Sequence, residues 1–359
     1  MKNKLRWLIV TFLTLITITT LIKTITNYHT TLEVKHLPNT FVFDPSTKEI
    51  YQIGIDNKKH LLLIDQALAS YGLNPDNLKL ATKADLRLSR GIDISYREGT
   101  ILLSQDQYYL IEGKQIVVKR PVSIELLSGL GYQIDRIQQV TPDKLPEATG
   151  DPYQLSGLHP EGSLIKSSEA TFLIENRQLR RFADQFILDS YLAESDSILP
   201  ASELDLRLPR GNDMEPRLGS LFRTDNQEYY TLVKEDGYIK KKAFSSPTTY
   251  RGLGYTPEEA SLVDITQLPI ENTQPIIYSY LGKSKLAPVA ILEKESNQLY
   301  DASASIDDQG IDRYYWQVNQ SLDWLEGNIL NLTGDQDPTT IRLIVVDKNG
   351  LVDSKILGL

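Results

Sequence analysis

One pattern is written several times in this chain, and it limits the possible folds more than any other feature. The stretches EGTILLSQDQYYLIEGKQIVVKR from Glu98, EGSLIKSSEATFLIENRQLRRF from Glu161 and LGSLFRTDNQEYYTLVKEDGYIKKKAF from Leu218 share one grammar. Each has a glycine followed by an apolar strand (Gly99, Gly162, Gly219), then an aromatic-aliphatic strand (Tyr108–Glu112, Thr171–Glu175, Tyr229–Val233). A turn follows at Gly113-Lys114, Asn176-Arg177 and Asp236-Gly237, and then a returning basic strand. Asp-Gly is a hairpin signal because a type I′ turn needs positive φ at both central residues.

The continuation repeats too. Ser123, Asp184 and Ser246 stand where a helix N-cap is expected, and Pro247 takes the favoured first helical position. The second and fourth copies stop at GLGY, Gly129–Tyr132 and Gly252–Tyr255, where glycine supplies the left-handed residue; the third copy has Ser190–Ala193 instead. A fainter copy lies upstream, with Asp56-Asn57 as the turn and Asp65 as the cap. A cap recurring about every 60 residues means tandem supersecondary units, each of marginal stability alone.

These observations predict an α+β chain divided as follows: signal anchor 1–25, linker 26–38, units 39–97, 98–160, 161–217 and 218–274, and a small α/β or α+β domain 275–359. Each unit is expected to hold a β-hairpin and one short helix. In the last domain, Ile311, Tyr315, Val318, Leu322, Leu325 and Ile329 recur near helical spacing, so Ile311–Leu330 reads as an amphipathic helix. Ile341–Leu357 reads as a hairpin around Asn349-Gly350.

At the N-terminus, Lys2, Lys4 and Arg6 precede the uncharged run Trp7–Ile22. Lys23 is placed to snorkel, letting the span extend to Ile25. The reading is an uncleaved transmembrane signal anchor with the bulk of the chain extracytoplasmic, against the alternative of a cleaved signal peptide. A net charge of −9 argues against a dedicated nucleic-acid binder, and the absence of cysteine excludes disulfides and thiolate chemistry.

The repeated basic pairs are the main functional candidates: Lys58-Lys59, Lys119-Arg120, Arg180-Arg181 and Lys241-Lys242. Stacked units would line them into a cationic stripe for an anionic wall polymer. Alternatively, they are solvated strand charges that pair with Glu112 or Glu175 and guard an edge. Trp316 and Trp324 are candidates for sugar stacking, against a reading as core. Asp307, Asp308 and Asp312 lack the alternating spacing of a calcium loop, and no cofactor or metal motif occurs.

Over residues 40–274, and most clearly over Gly162–Gly211, the pattern G-S-L-I-K, T-F-L-I-E-N, R-R-F and L-P-R-G resembles a tandem repeat of exported proteins of the candidate-phyla (Patescibacteria) bacteria. The resemblance implies an envelope setting and no established activity. The functional expectation is a membrane-anchored envelope repeat protein acting as a spacer or multivalent binding array. The alternatives are a wall hydrolase with its site in the last domain, and a scaffold for envelope proteins.

Overall fold

The computed structural model describes residues 35–155, 157–192, 197–235, 237–244, 246–264, 266, 286–296, 298–332, 338–348 and 350–359. The first unit contains β1 (Phe41–Asp44), β2 (Glu49–Ile53), β3 (Lys59–Leu61) and β4 (Lys79–Leu80). The second contains β5 (Ile101–Ser104), β6 (Gln107–Glu112), β7 (Val118–Val122) and β8 (Gln138–Gln139). The third has β9 (Leu164–Lys166), β10 (Thr171–Glu175), β11 (Gln178–Arg181) and β12 (Ile198–Pro200). The fourth has β13 (Leu221–Arg223), β14 (Tyr229–Glu235), β15 (Tyr238–Ala243) and β16 (Ser261–Leu262).

All four sheets have the same order, third strand–second–first–fourth: β3-β2-β1-β4, β7-β6-β5-β8, β11-β10-β9-β12 and β15-β14-β13-β16. The first three strands of each are antiparallel, and the fourth lies parallel to the first. A parallel partner cannot be reached by a hairpin, so a crossover is needed. The short helix supplies it. Asn176 and Arg177, both at φ 54, make the two-residue turn between β10 and β11.

The crossovers are α2 (Ile124–Gly129), α3 (Gln185–Asp189) and α4 (Pro247–Gly252), while α1 (Lys83–Leu86) lies beyond β4 in the first unit. Ser123, Asp184 and Ser246 accept the capping backbone N–H groups of Leu126, Ile187 and Thr249. Asp65 is not a cap. It opens a 3-10 segment, Asp65–Tyr71, whose N-cap residue is Ile64.

The last domain contains β17 (Glu293–Lys294), β18 (Leu299–Asp301), β19 (Ile311–Val318), β20 (Leu325–Glu326), β21 (Ile329–Asn331), β22 (Thr340–Asp347) and β23 (Val352–Gly358). They form two sheets, β17-β18-β21 and β20-β19-β22-β23. Tyr300, Trp316, Leu330, Ile341, Leu343 and Val345 fill the space between them. Alternate residues Ile344 and Val346 of β22 face outward, yet they too are buried, with Tyr315, Val352 and Leu80 of the first unit. The central strand is therefore apolar on both faces, because it is covered on both faces.

These findings correct the expected fold class. The described chain is mostly β, with six small sheets and α-helices of four to six residues. Residues 311–330 are not a helix but three strands, broken where Asn319 and Gln320 adopt φ 50 and 60. Their helical spacing was outweighed by the β-favouring run Tyr314-Tyr315-Trp316. Among the described residues no helix is long and apolar enough to cross a membrane, and the proposed span 1–25 lies outside them.

Candidate functional site: the junctions between units

The four units do not form an open string. Units 1 and 2 share one core, in which Phe41, Phe43 and Leu78 meet Leu102, Ile111 and Val140. Phe186 of unit 3 packs on Phe222 of unit 4 at a 4.9 Å centroid distance. At each of these two junctions a serine hydroxyl accepts a backbone N–H 3.0 Å away, from Arg97 to Ser70 and from Arg217 to Ser190. The equivalent residues are about 120 apart, so the junction of units 1 and 2 matches the junction of units 3 and 4.

The other two junctions, between units 2 and 3 and between units 4 and 1, also match. Each unit opens on a residue with positive φ: Asn39, Gly99, Gly162 and Gly219. Its N–H is bonded to the carbonyl of Ile53, Ile111, Ile174 or Leu232 respectively. At the junction of units 2 and 3 the backbones meet directly. A Cβ on Gly162 would lie 2.2 Å from the Glu98 carbonyl oxygen, and one on Gly99 would lie 2.5 Å from that of Glu161. At the junction of units 4 and 1, a Cβ on Gly219 would lie 1.9 Å from the Pro38 carbonyl oxygen. Asn39 stands where the other units have glycine, and its Nδ2 donates to the Leu218 carbonyl at 2.9 Å. Asparagine tolerates the left-handed region and here uses its amide across the junction.

A buried histidine clasps each of these two junctions. His36 Nδ1 lies 2.6 Å from Asp85 Oδ2, and its Nε2 lies 2.9 Å from the Leu253 carbonyl of unit 4. His159 Nδ1 lies 2.6 Å from Asp205 Oδ2, and its Nε2 lies 2.7 Å from the Leu130 carbonyl of unit 2. Each aspartate also receives the backbone N–H of its histidine and of a capping residue, Thr82 or Ser202. Burial raises the Asp85 pKa, but the charge of His36 and these donors outweigh it and hold the carboxyl below its usual range. Asp205 is likewise held low, against the effect of burial, by its bonds from His159 and Ser202.

The junction of units 4 and 1 carries further fastenings. Lys79 Nζ is 2.5 Å from Glu259 Oε1. Burial lowers the Lys79 pKa more than the charge and hydrogen bond of Glu259 restore it. The C-terminal sandwich lies on the same junction. Leu351 enters the core of Leu37, Tyr250, Leu253 and Tyr255, and Trp324 meets Phe43 at 4.8 Å. Lys48 of unit 1 pairs with Asp323 at 2.7 Å.

The basic pairs are engaged close to home. Lys58 lies 3.9 Å from Asp56, and Lys59 donates to the Leu86 carbonyl. Lys119 donates to Pro146, and Arg120 binds Glu112 and the Asp151 carbonyl. Arg180 pairs with Glu175, Arg181 with Asp213, and Lys242 with Glu235. Lys241 is half-buried opposite Leu232. Arg181 and Asp213 are both about half exposed, so Arg181→Ala is expected to change stability by less than about 0.5 kcal/mol, measured by urea unfolding.

Trp316 is 1% exposed and donates to the Gly327 carbonyl. Trp324 is half-buried between unit 1 and the sandwich. Asp307 and Asp308 lie in the bend before β19, and Asp312 lies in β19 and pairs with Arg313. Among the described residues no His, Asp or Glu cluster is arranged to hold a metal ion. An open cavity of about 260 Å³, lined by Ser70, Arg97, Thr100, Tyr132, Arg136 and Ser163, lies where units 1, 2 and 3 meet.

No family model matches the chain, and no curated protein matches it. Its backbone is similar to a chain in the structure of an intact ESX-5 inner membrane complex, at 12% identity and a TM-score of 0.15. That alignment covers 97% of this chain and 65% of the other, so this chain spans under two thirds of that length. A chain in the periplasmic assembly from the same complex is similar at 12% identity and a TM-score of 0.14, over 91% of this chain and 70% of the other. At such scores the likeness carries no argument about mechanism.

Proposed function

We propose that the chain is a scaffold subunit of an envelope complex, a rigid platform that holds partner proteins in fixed positions. The observation that carries this reading is the closure of unit 4 onto unit 1 beneath the C-terminal sandwich. In an extensible spacer each unit touches only its sequence neighbours. Here His36 reaches a carbonyl 217 residues away, and Trp324 reaches back to Phe43. Such a body gains little reach from its length and much rigidity from its closure. The basic pairs, largely spent on local partners, leave little free charge for a polymer-binding stripe. The envelope setting in this proposal follows the resemblance of the units to a repeat of exported proteins.

Crosslinking in living cells, followed by purification of the tagged full-length chain, tests it. A defined complex with envelope proteins in constant ratio is expected. A chain that purifies alone, yet is retained on anionic wall polymer until Arg180 and Arg181 are replaced by alanine, would favour a binding array instead.

A further inference from the structure

We infer that the cavity where units 1, 2 and 3 meet binds a small polar molecule carrying a phosphate or carboxylate group, a property separate from the scaffold role. The two matching junctions differ here in one pair of residues. Tyr132 and Tyr255 hold equivalent places, the first hydroxyl 3.1 Å from Ser163 Oγ and the second 3.0 Å from Thr40 Oγ1. Four residues beyond each tyrosine a three-residue 3-10 turn ends, on Arg136 in one junction and on Glu259 in the other. Facing these turns, Leu199 pairs with Ile165 and Lys79 with Val42, each of those partners the third residue after the positive-φ residue that opens its unit. Leu199 therefore stands in the place of Lys79, and Arg136 in the place of Glu259. At the junction of units 4 and 1, Lys79 passes over the Tyr255 ring at 5.6 Å and meets Glu259 at 2.5 Å, which fills the space and cancels the charge. At the junction of units 2 and 3 a shorter, apolar side chain leaves that space open, and the acid has become a base. What results is the cavity of about 260 Å³, with Arg136 on its wall.

The lining suits an oxyanion. Among the described residues that form it, Arg97 and Arg136 are the only charged ones. Arg97 is already bonded, so the site turns on Arg136, which is exposed and has no hydrogen-bond or ion-pair partner among the described residues. Its planar fork of N–H donors matches a carboxylate or a phosphate. Tyr132 and Ser163 share one hydrogen bond between two hydroxyls, so one O–H is left to donate to a ligand. Burial pushes the Tyr132 pKa up to about 12, which keeps that hydroxyl protonated. Ile101, Leu164 and Leu199 complete the wall, so the body of the ligand meets apolar surface while its charged group meets Arg136. The volume lies close to the lower end of the range for small-molecule sites, about 300–1,000 Å³, so the ligand is small.

The test follows thermal unfolding of the full chain at constant ionic strength. Glycerol phosphate and glycerate are the anionic probes, and glycerol at equal concentration is the uncharged control. A saturable rise in the unfolding midpoint is expected with at least one anionic probe, and none with glycerol. Arg136→Gln should fold as the wild type does, because the side chain is exposed, and should weaken that binding at least tenfold. Leu199→Lys combined with Arg136→Glu rebuilds the ion pair of the other junction inside the cavity and should abolish binding. No saturable shift with either anionic probe in the wild type, or an unchanged affinity in Arg136→Gln, overturns the inference. A shift with glycerol equal to that with the anions overturns it as well.

Discussion

Asp85→Ala is expected to destabilise the protein by about 3–5 kcal/mol, the usual cost of removing one partner from a buried charge pair. Asp85 is fully buried and accepts from His36 N, His36 Nδ1, Thr82 N and Thr82 Oγ1 at 2.6–2.9 Å. Alanine leaves all four donors without an acceptor. Asp205→Ala should act similarly at the junction of units 2 and 3, where His159 and Ser202 lose the same support. The midpoint of urea unfolding measures both. A loss under 1 kcal/mol would mean that the clasps are incidental.

The same carboxylates set an acid limit. Their folded-state pKa values lie below the ordinary one, so the stability they contribute is complete above about pH 3.9 and disappears as pH falls through the folded values. Unfolding midpoints should drop steeply below that point in the wild type, and less steeply once both aspartates are replaced.

The second large effect belongs to Trp316→Ala, expected to cost about 3–5 kcal/mol. The indole is sealed between the two sheets of the sandwich, against Tyr300, Leu330 and Leu343, and its N–H is satisfied by the Gly327 carbonyl at 2.6 Å. Truncation leaves a cavity and an unpaired carbonyl. A sugar-stacking tryptophan would behave the opposite way, losing ligand while stability stayed within about 0.5 kcal/mol. Thermal unfolding of the variant separates the two cases.

What the sequence made readable is local. The glycine that opens a unit, the hairpin with its turn and the capping serine or aspartate all depend on residues within a few positions of one another. Asn39 in the glycine position shows the limit, since its amide is justified only by the carbonyl of Leu218, 179 residues away. The clasps were missed for the same reason. His36 and His159 look scattered because half of each site is a backbone carbonyl, which has no side-chain signature. One signal was nevertheless present: Asp85-Leu86-Arg87-Leu88 recurs as Asp205-Leu206-Arg207-Leu208, and both lead into Arg-Gly at Arg90-Gly91 and Arg210-Gly211. That pairing links units 1 and 3, not neighbours, as the two clasps do. The helix expected over 311–330 failed because near-helical spacing of apolar residues also occurs in strands broken by a turn; here Trp316 is buried, while Leu325 and Ile329 of the expected face are exposed.

The central claim is that unit 4 closes on unit 1, and zero-length carbodiimide crosslinking with peptide mass spectrometry tests it most directly. Among the described residues, four lysine–carboxylate pairs that cross between units, or from a unit to the sandwich, lie within 3.2 Å. Lys144–Asp65 joins units 1 and 2, Lys114–Glu175 joins units 2 and 3, Lys79–Glu259 joins units 1 and 4, and Lys48–Asp323 joins unit 1 to the sandwich. The closed cycle predicts all four crosslinks within single chains. Recovery of Lys144–Asp65 and Lys114–Glu175, with neither Lys79–Glu259 nor Lys48–Asp323, would describe an open string and contradict the closure.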